Sequence, residues 1–129
     1  MKARKTLIII AAVFVAIFAI GSGVKAKLES GLKELAKTDI AEVDLASIAD
    51  GVYSGSVSAF PVVVELKVRV KDHRIEAIDL IKHTNGQGKP AEALLAKVVQ
   101  EQKINLDVIS GATYSSKAIL LAISNALKK

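Results

Sequence analysis

The chemistry this 129-residue chain could perform is concentrated in one stretch, DVISGATYSS, from Asp107 to Ser116. Ser110, Thr113, Ser115 and Ser116 offer hydroxyl groups, and Gly111 lets the backbone come close to a neighbouring group. A turn of Gly, Ser and Thr that opens a helix presents free backbone N–H groups together with the positive end of the helix dipole. Both favour a phosphate or a carboxylate. The same residues also serve as ordinary helix caps, and spacing alone leaves the anion site and the cap both open.

Other residues carry weaker chemical signals. His83, Thr84, Asn85 and Gly86 begin the polar, glycine-rich run HTNGQGKP. An imidazole and an amide in such a loop could touch a ligand or simply be solvated. Tyr53, between Gly51 and Gly55, is either a stacking platform or a core aromatic, and Tyr114 poses the same choice. Lys117 is a possible phosphate counter-charge, and His73, between Asp72 and Arg74, reads as a solvated turn residue. The chain has no cysteine, which excludes disulfides, iron–sulfur ligation and covalent haem c. No Cys, His or carboxylate pair has metal-ligand spacing, so no metal site is expected.

The elements that must position these residues follow from periodicity. TLIIIAAVFVAIFAIGSGV, Thr6 to Val24, carries no charge, and as a helix it spans roughly 28 Å, close to the thickness of a bilayer's hydrocarbon core. Lys2, Arg4 and Lys5 precede it, which by the positive-inside rule puts the N-terminus in the cytoplasm and the rest outside. A cleaved secretory signal is the alternative, since the strongly apolar part is short and Val24–Lys25–Ala26 suits cleavage. The length argument favours an anchor, and both readings export the remainder.

Leu28 to Ala49 reads as a partly helical stalk, with Leu28, Leu32, Leu35 and Ala36 at helical spacing and a spacer's role. A domain then runs from Asp50 to Lys129. It opens with a short strand in DGVYSGSVSAF, followed by a strand alternating over Val62, Val64, Leu66, Val68 and Val70. KDHR turns the chain into a return strand from Ile75 to His83, an antiparallel hairpin. Pro90 suits the first turn of a helix reaching about Gln102, with Leu94, Leu95, Val98 and Val99 inward. A last helix from about Ser115 to Leu127 buries Ile119, Leu120, Ile123 and Leu127. Strands first and helices after predict an α+β fold: a small antiparallel sheet with two packed helices, behind a transmembrane helix and a stalk.

Charge narrows the partners. Lys2, Arg4, Lys5, Lys25 and Lys27 account for the whole formal charge of +5, and the other basic residues are equalled in number by 13 acidic ones. The folded part is near neutral, so the basic character gives no reason to expect a nucleic-acid partner.

Asp107, Ser110, Gly111, Ala112 and Thr113 fill every position of the pattern Asp-x-x-(Ser/Thr)-Gly-Ala-Thr. The stretch thereby resembles the flavinylation motif of FMN-binding domains, the family that includes the C subunit of the sodium-pumping NADH:quinone oxidoreductase and the G subunit of the Rnf complex. The likeness extends over Asp50 to Lys129 through DGVYSG, the hairpin, HTNGQGKPAEAL and the terminal helix, in the order of the compact single-domain members. The regions particular to those respiratory subunits are lacking.

The resemblance implies that Thr113 is esterified to the phosphate of FMN by a flavin transferase using FAD as donor. It also implies that Asp107, Ser110, Gly111 and Ala112 form the motif at the attachment point and that His83, Thr84, Asn85 and Gly86 lie near the flavin, whose ring Tyr53 could stack on if it is not a core aromatic. The expected protein is an exported, membrane-anchored flavoprotein with covalent FMN. It would carry electrons from a membrane redox donor to an acceptor, with Thr113 an anchor rather than a catalyst. The rivals are a flavin-dependent reductase of a small extracytoplasmic substrate and a non-redox envelope module that binds a partner.

Overall fold

The structure, a computed structural model, describes residues 1–84 and 88–128. Helix α1 runs unbroken over Lys2–Lys37, which at about 1.5 Å per residue is near 54 Å long. Its apolar half lies against nothing: Leu7, Phe14 and Phe18 are 71%, 72% and 78% exposed. Among the described residues, α1 is the one helix long and apolar enough to cross a membrane.

Three strands, β1 (Gly51–Ala59), β2 (Val62–Lys71) and β3 (Arg74–Thr84), form an antiparallel meander in the order β1-β2-β3. Alternation in β2 puts Val62, Val64, Leu66, Val68 and Val70 on the buried face, as the period of two requires. The β2–β3 connection pairs Lys71 with Arg74 and places Asp72 and His73 at φ 52° and 59°. Two successive left-handed residues make a type I′ turn, whose twist matches that of the strands it joins. His73 is exposed there, and its Nδ1 lies 3.2 Å from the Ile48 carbonyl.

A short 3₁₀ turn, Lys89–Glu92, holds Pro90 and leads into α2 (Ala93–Glu101), with Leu94 and Val98 buried and Leu95 and Val99 packed beside them. Helix α3 (Thr113–Leu127) lies on the inner face of the sheet and buries Ile119, Leu120, Ile123 and Leu127. The other sheet face is open to solvent, with Val52 and Ile81 about 60% exposed. The α+β architecture expected from the pattern of elements is the one observed.

The segment from Leu28 to Ala49 is more than a spacer. Leu35, Ile40 and Ile48 are each 5% exposed and belong to the same core as α3 and the sheet, with Leu32, Val43 and Leu45 beside them. Polar contacts hold it in place: Lys117 Nζ donates to the Thr38 carbonyl at 3.2 Å, and the Asn105 N–H donates to Glu42 Oε1 at 2.7 Å. The helical spacing at Leu32 and Leu35 reflects docking on the domain. Burying three aliphatic side chains contributes about 4.5–9 kcal/mol, at roughly 1.5–3 kcal/mol each. A fragment starting at residue 50 is therefore expected to unfold at much lower urea than one starting at residue 28, and equal midpoints would show the docking to be energetically idle.

Gln102 ends α2 in a left-handed conformation, φ 55°, and its side chain continues the sheet's hydrogen bonding. Its Oε1 accepts from the Ile75 N–H at 2.8 Å, and its Nε2 donates to the Ile75 carbonyl at 2.9 Å and to the Val99 carbonyl at 2.6 Å. An amide thus takes the place of a fourth strand at the edge of β3. Gln102→Ala keeps the unfavourable φ and strips partners from the backbone of a residue only 2% exposed. A loss of about 1–3 kcal/mol is expected by urea denaturation, and a change below about 0.5 kcal/mol would count against the edge-capping role.

Candidate functional site

The Asp107–Ser116 stretch folds into a turn followed directly by α3. The Ala112 N–H donates to the Ile109 carbonyl at 2.9 Å, closing a turn around Ser110 and Gly111. Gly111 has φ 79°, the left-handed value that a type II turn needs at its third residue, and a Cβ there would meet nothing within 4 Å. Glycine is needed at this position for its backbone, not for lack of space. The Ile109 N–H donates to Ser116 Oγ at 3.0 Å, pinning the turn to the first turn of the helix.

Thr113 is the first residue of α3 and is exposed, and the N-cap residue is Ala112 with no side-chain cap bond. The motif hydroxyls are therefore not spent on capping. Ser116 reaches back to Ile109 and Ser115 turns toward His83, while Thr113 faces outward at an uncapped helix N-terminus. Such an end is suited to an anion.

A cavity of about 290 Å³ opens at this point, lined by Leu32 of α1, Pro61 of the β1–β2 turn, Val62 at the start of β2, Gly88, and the run Gly111–Ser115. Tyr114, 39% exposed, lies in its wall beside Thr113. The glycine, the hydroxyls and the open helix terminus fit a phosphate, and the apolar side chains and Tyr114 fit a flat aromatic group. A hollow of about 250 Å³ on the open sheet face, lined by Ser54, Ser56, Glu65, Lys67 and Ile81, contains no residue of the motif.

The other expected site residues are distributed unevenly. Ser110 and Asp107 are exposed in the connection and turn leading into α3, with neither in the cavity wall, while Ala112 is buried and lines it. Tyr53 is a packing residue: it lies on the inner face of β1 against the core and donates its hydroxyl to the Ala49 carbonyl at 2.7 Å. It is not among the residues lining the cavity: the neighbouring Gly55 lies against Ala122 and Ala126, toward the end of α3 opposite the Asp107–Ser116 turn. Lys117 is committed to Thr38. Thr84 pairs with Val63 at the exposed end of β3, outside the cavity wall. Asn85 and Gly86 lie outside the described residues.

His83 departs most from expectation. Its side chain is 2% exposed, so it is not a solvated loop imidazole. In β3, Ile81 has no partner in β2, since Leu80 pairs with Leu66 and Lys82 with Glu65, and this bulge sets His83 opposite the buried Val64. Strict alternation from Leu80 would have turned Lys82 inward instead. The ring lies between two elements: Nδ1 is 2.8 Å from Glu92 Oε1, and Nε2 is 3.1 Å from Ser115 Oγ. Glu92 and the structural use of Ser115 escape sequence reasoning, because the partners lie 9 and 32 positions away. The spacing of three between Ile75 and Ile78 marks a separate bulge, at Glu76, and gives no sign of the one at Ile81.

Comparison with known proteins addresses the same region. Residues 60–128 match the family model described as FMN-binding domain. A relative in Treponema pallidum (strain Nichols), an uncharacterized protein, is 31% identical over 87 residues, covering 65% of this chain and 24% of that protein. A second, named NADH:acrylate oxidoreductase, from Vibrio harveyi, is 43% identical over 51 residues, covering 39% of this chain and 5% of that protein. The chain thus spans about a quarter or less of the length of these curated relatives. The family model covers more than half of the chain and contains both the turn and the cavity's helix, so the chain belongs to the FMN-binding domain family.

Proposed function

We propose that this chain carries FMN esterified through its phosphate to Thr113 and serves as an electron-transfer carrier outside the cytoplasmic membrane, anchored by α1. The observation that carries the reading is the position of Thr113: exposed, on a helix N-terminus with no side-chain cap, at the wall of a cavity whose lining, Leu32 apart, lies in the family-matched region. In this reading the N–H groups of the first turn of α3 receive the phosphate, Gly111 allows close approach, and Tyr114 borders the ring. Bound FMN would supply the one- or two-electron chemistry, which side chains lack.

A tether also suits an exported protein. A reversibly held cofactor can diffuse away outside the cell, whereas an ester keeps it at high effective concentration over its cavity. The exposed apolar half of α1 supports a lipid surround, and the three basic residues before it support, by the positive-inside rule, an N-terminus on the cytoplasmic side. A flavin transferase is the implied maturation partner, with a membrane redox donor and a separate acceptor for the electrons. The test is the intact mass of the protein co-produced with an active flavin transferase: a gain of one FMN less one water is expected, and an unmodified mass would sink the covalent reading.

A second reading, a flavin-dependent reductase of a small substrate, is favoured by the name of the Vibrio harveyi relative. Saturable turnover of a small acceptor by the reduced, isolated protein would support it over a carrier.

A further inference from the structure

We propose that His83 is a positioning residue for attachment of the flavin phosphate: by bridging Glu92 and Ser115 it sets the first turn of α3, and with it the Thr113 hydroxyl, in the arrangement that accepts the phosphate. The proposal rests on the covalent reading above.

Three separately folded pieces meet at the ring: the end of β3, the 3₁₀ turn before α2, and the start of α3. The chain spends a β-bulge and a buried imidazole to join them. Ser115 is 3% exposed and lines the cavity two residues after Thr113, so whatever holds Ser115 also holds the turn that presents Thr113. Ser116 ties the other side of that turn to Ile109. The first turn of α3 is thereby fixed from two directions, without a side-chain cap over the N–H groups a phosphate would need.

Glu92 is the more exposed partner, its side chain 33% accessible, and a carboxylate only accepts, so Nδ1 carries the hydrogen of that bond. Nε2 shares a hydrogen bond with the Ser115 hydroxyl. In the transfer itself the Thr113 oxygen forms a bond to the FMN phosphorus as the pyrophosphate P–O bond of FAD breaks. AMP leaves and the hydroxyl proton passes to a base on the transferase. His83 touches none of the reacting atoms in this scheme. Its contribution is orientation, which can be worth orders of magnitude in rate when the reacting atoms must be aligned.

The experiment follows a time course of FMN incorporation by intact mass, with purified full-length chain, FAD, magnesium and a flavin transferase. Ser115→Ala and His83→Ala are expected to lower the rate constant at saturating acceptor by tenfold or more while reaching the wild-type plateau. Glu92→Gln, which keeps an oxygen facing Nδ1, is expected within threefold of wild type. A purely structural role would lower the plateau through an unfolded fraction and leave the rate constant unchanged, and that outcome overturns the proposal. Wild-type rates in a folded Ser115→Ala variant overturn it as well, and this small truncation keeps the test open if His83→Ala does not fold. Failure of the wild-type chain to gain any flavin rejects the covalent reading itself, an outcome distinct from the others.

Discussion

Thr113→Ala is expected to reduce covalent FMN to background while leaving the unfolding midpoint unchanged or slightly raised. The hydroxyl is the group that would bond to phosphorus, and alanine has none. Nothing else in the turn depends on it: Thr113 is exposed, the N-cap is Ala112, and the turn is held by Ala112, Ile109 and Ser116. Alanine is also the better helix former by up to about 0.7 kcal/mol, so stability has no reason to fall. Thr113→Ser, which restores a hydroxyl in the same place, is expected to recover incorporation. Intact mass and a urea curve on the three proteins decide the matter. Flavin still attached to Thr113→Ala would move the site to Ser110, Ser115 or Ser116, whereas unfolding of that variant would make Thr113 a structural residue.

Gly55→Val is expected to cause the largest loss of stability of any single change considered, because α3 crosses β1 with no room for a side chain. A Cβ built on Gly55 runs into the Ala122 carbonyl and comes within 2.9 Å of the Ala126 backbone nitrogen and 2.8 Å of its Cβ. Two of the three obstacles are helix backbone, which cannot rotate aside as a long side chain would. The helix must lift off the sheet, and its buried face, including Ile119 and Ile123 at 0% exposure, loosens with it. Overpacking costs typically 1–3 kcal/mol where side chains can yield, so about 3 kcal/mol is expected for Gly55→Ala and more for valine. The urea midpoint of the fragment starting at residue 28 reads this out. A change under about 0.5 kcal/mol for Gly55→Ala would mean that helix and strand are not in the close contact described.

The sequence alone determined those features that arise from neighbours in the chain. The period of two in Val62–Val70, the turn at Lys71–Arg74, the aliphatic faces of α2 and α3 and the uncharged run from Thr6 to Val24 are local patterns, readable because strand and helix geometry repeat over a few residues. The turn before α3 was legible for the same reason, since a glycine and several hydroxyl residues just before a helix sit within one short stretch.

Tertiary structure decided the rest, in each case by joining residues far apart in sequence. The same hydrophobic spacing at Leu32 and Leu35 suits a free stalk and a docked helix, and only the core into which Leu35, Ile40 and Ile48 fit distinguishes them. Tyr53 and Tyr114 are alike as residue types, yet one donates its hydroxyl to Ala49 within the packed layer and the other lines the cavity. Spacing left capping open for the hydroxyls before α3, and the structure turns Ser115 to His83 and Ser116 to the Ile109 N–H, with no side-chain cap on Ala112. His83 reads as loop chemistry until an unpaired Ile81 rotates it to the inner face of β3, opposite Val64 and within reach of Glu92 and Ser115. A bulge reverses which face a strand residue occupies, and the energy that selects it comes from partners on other elements, which no local pattern records.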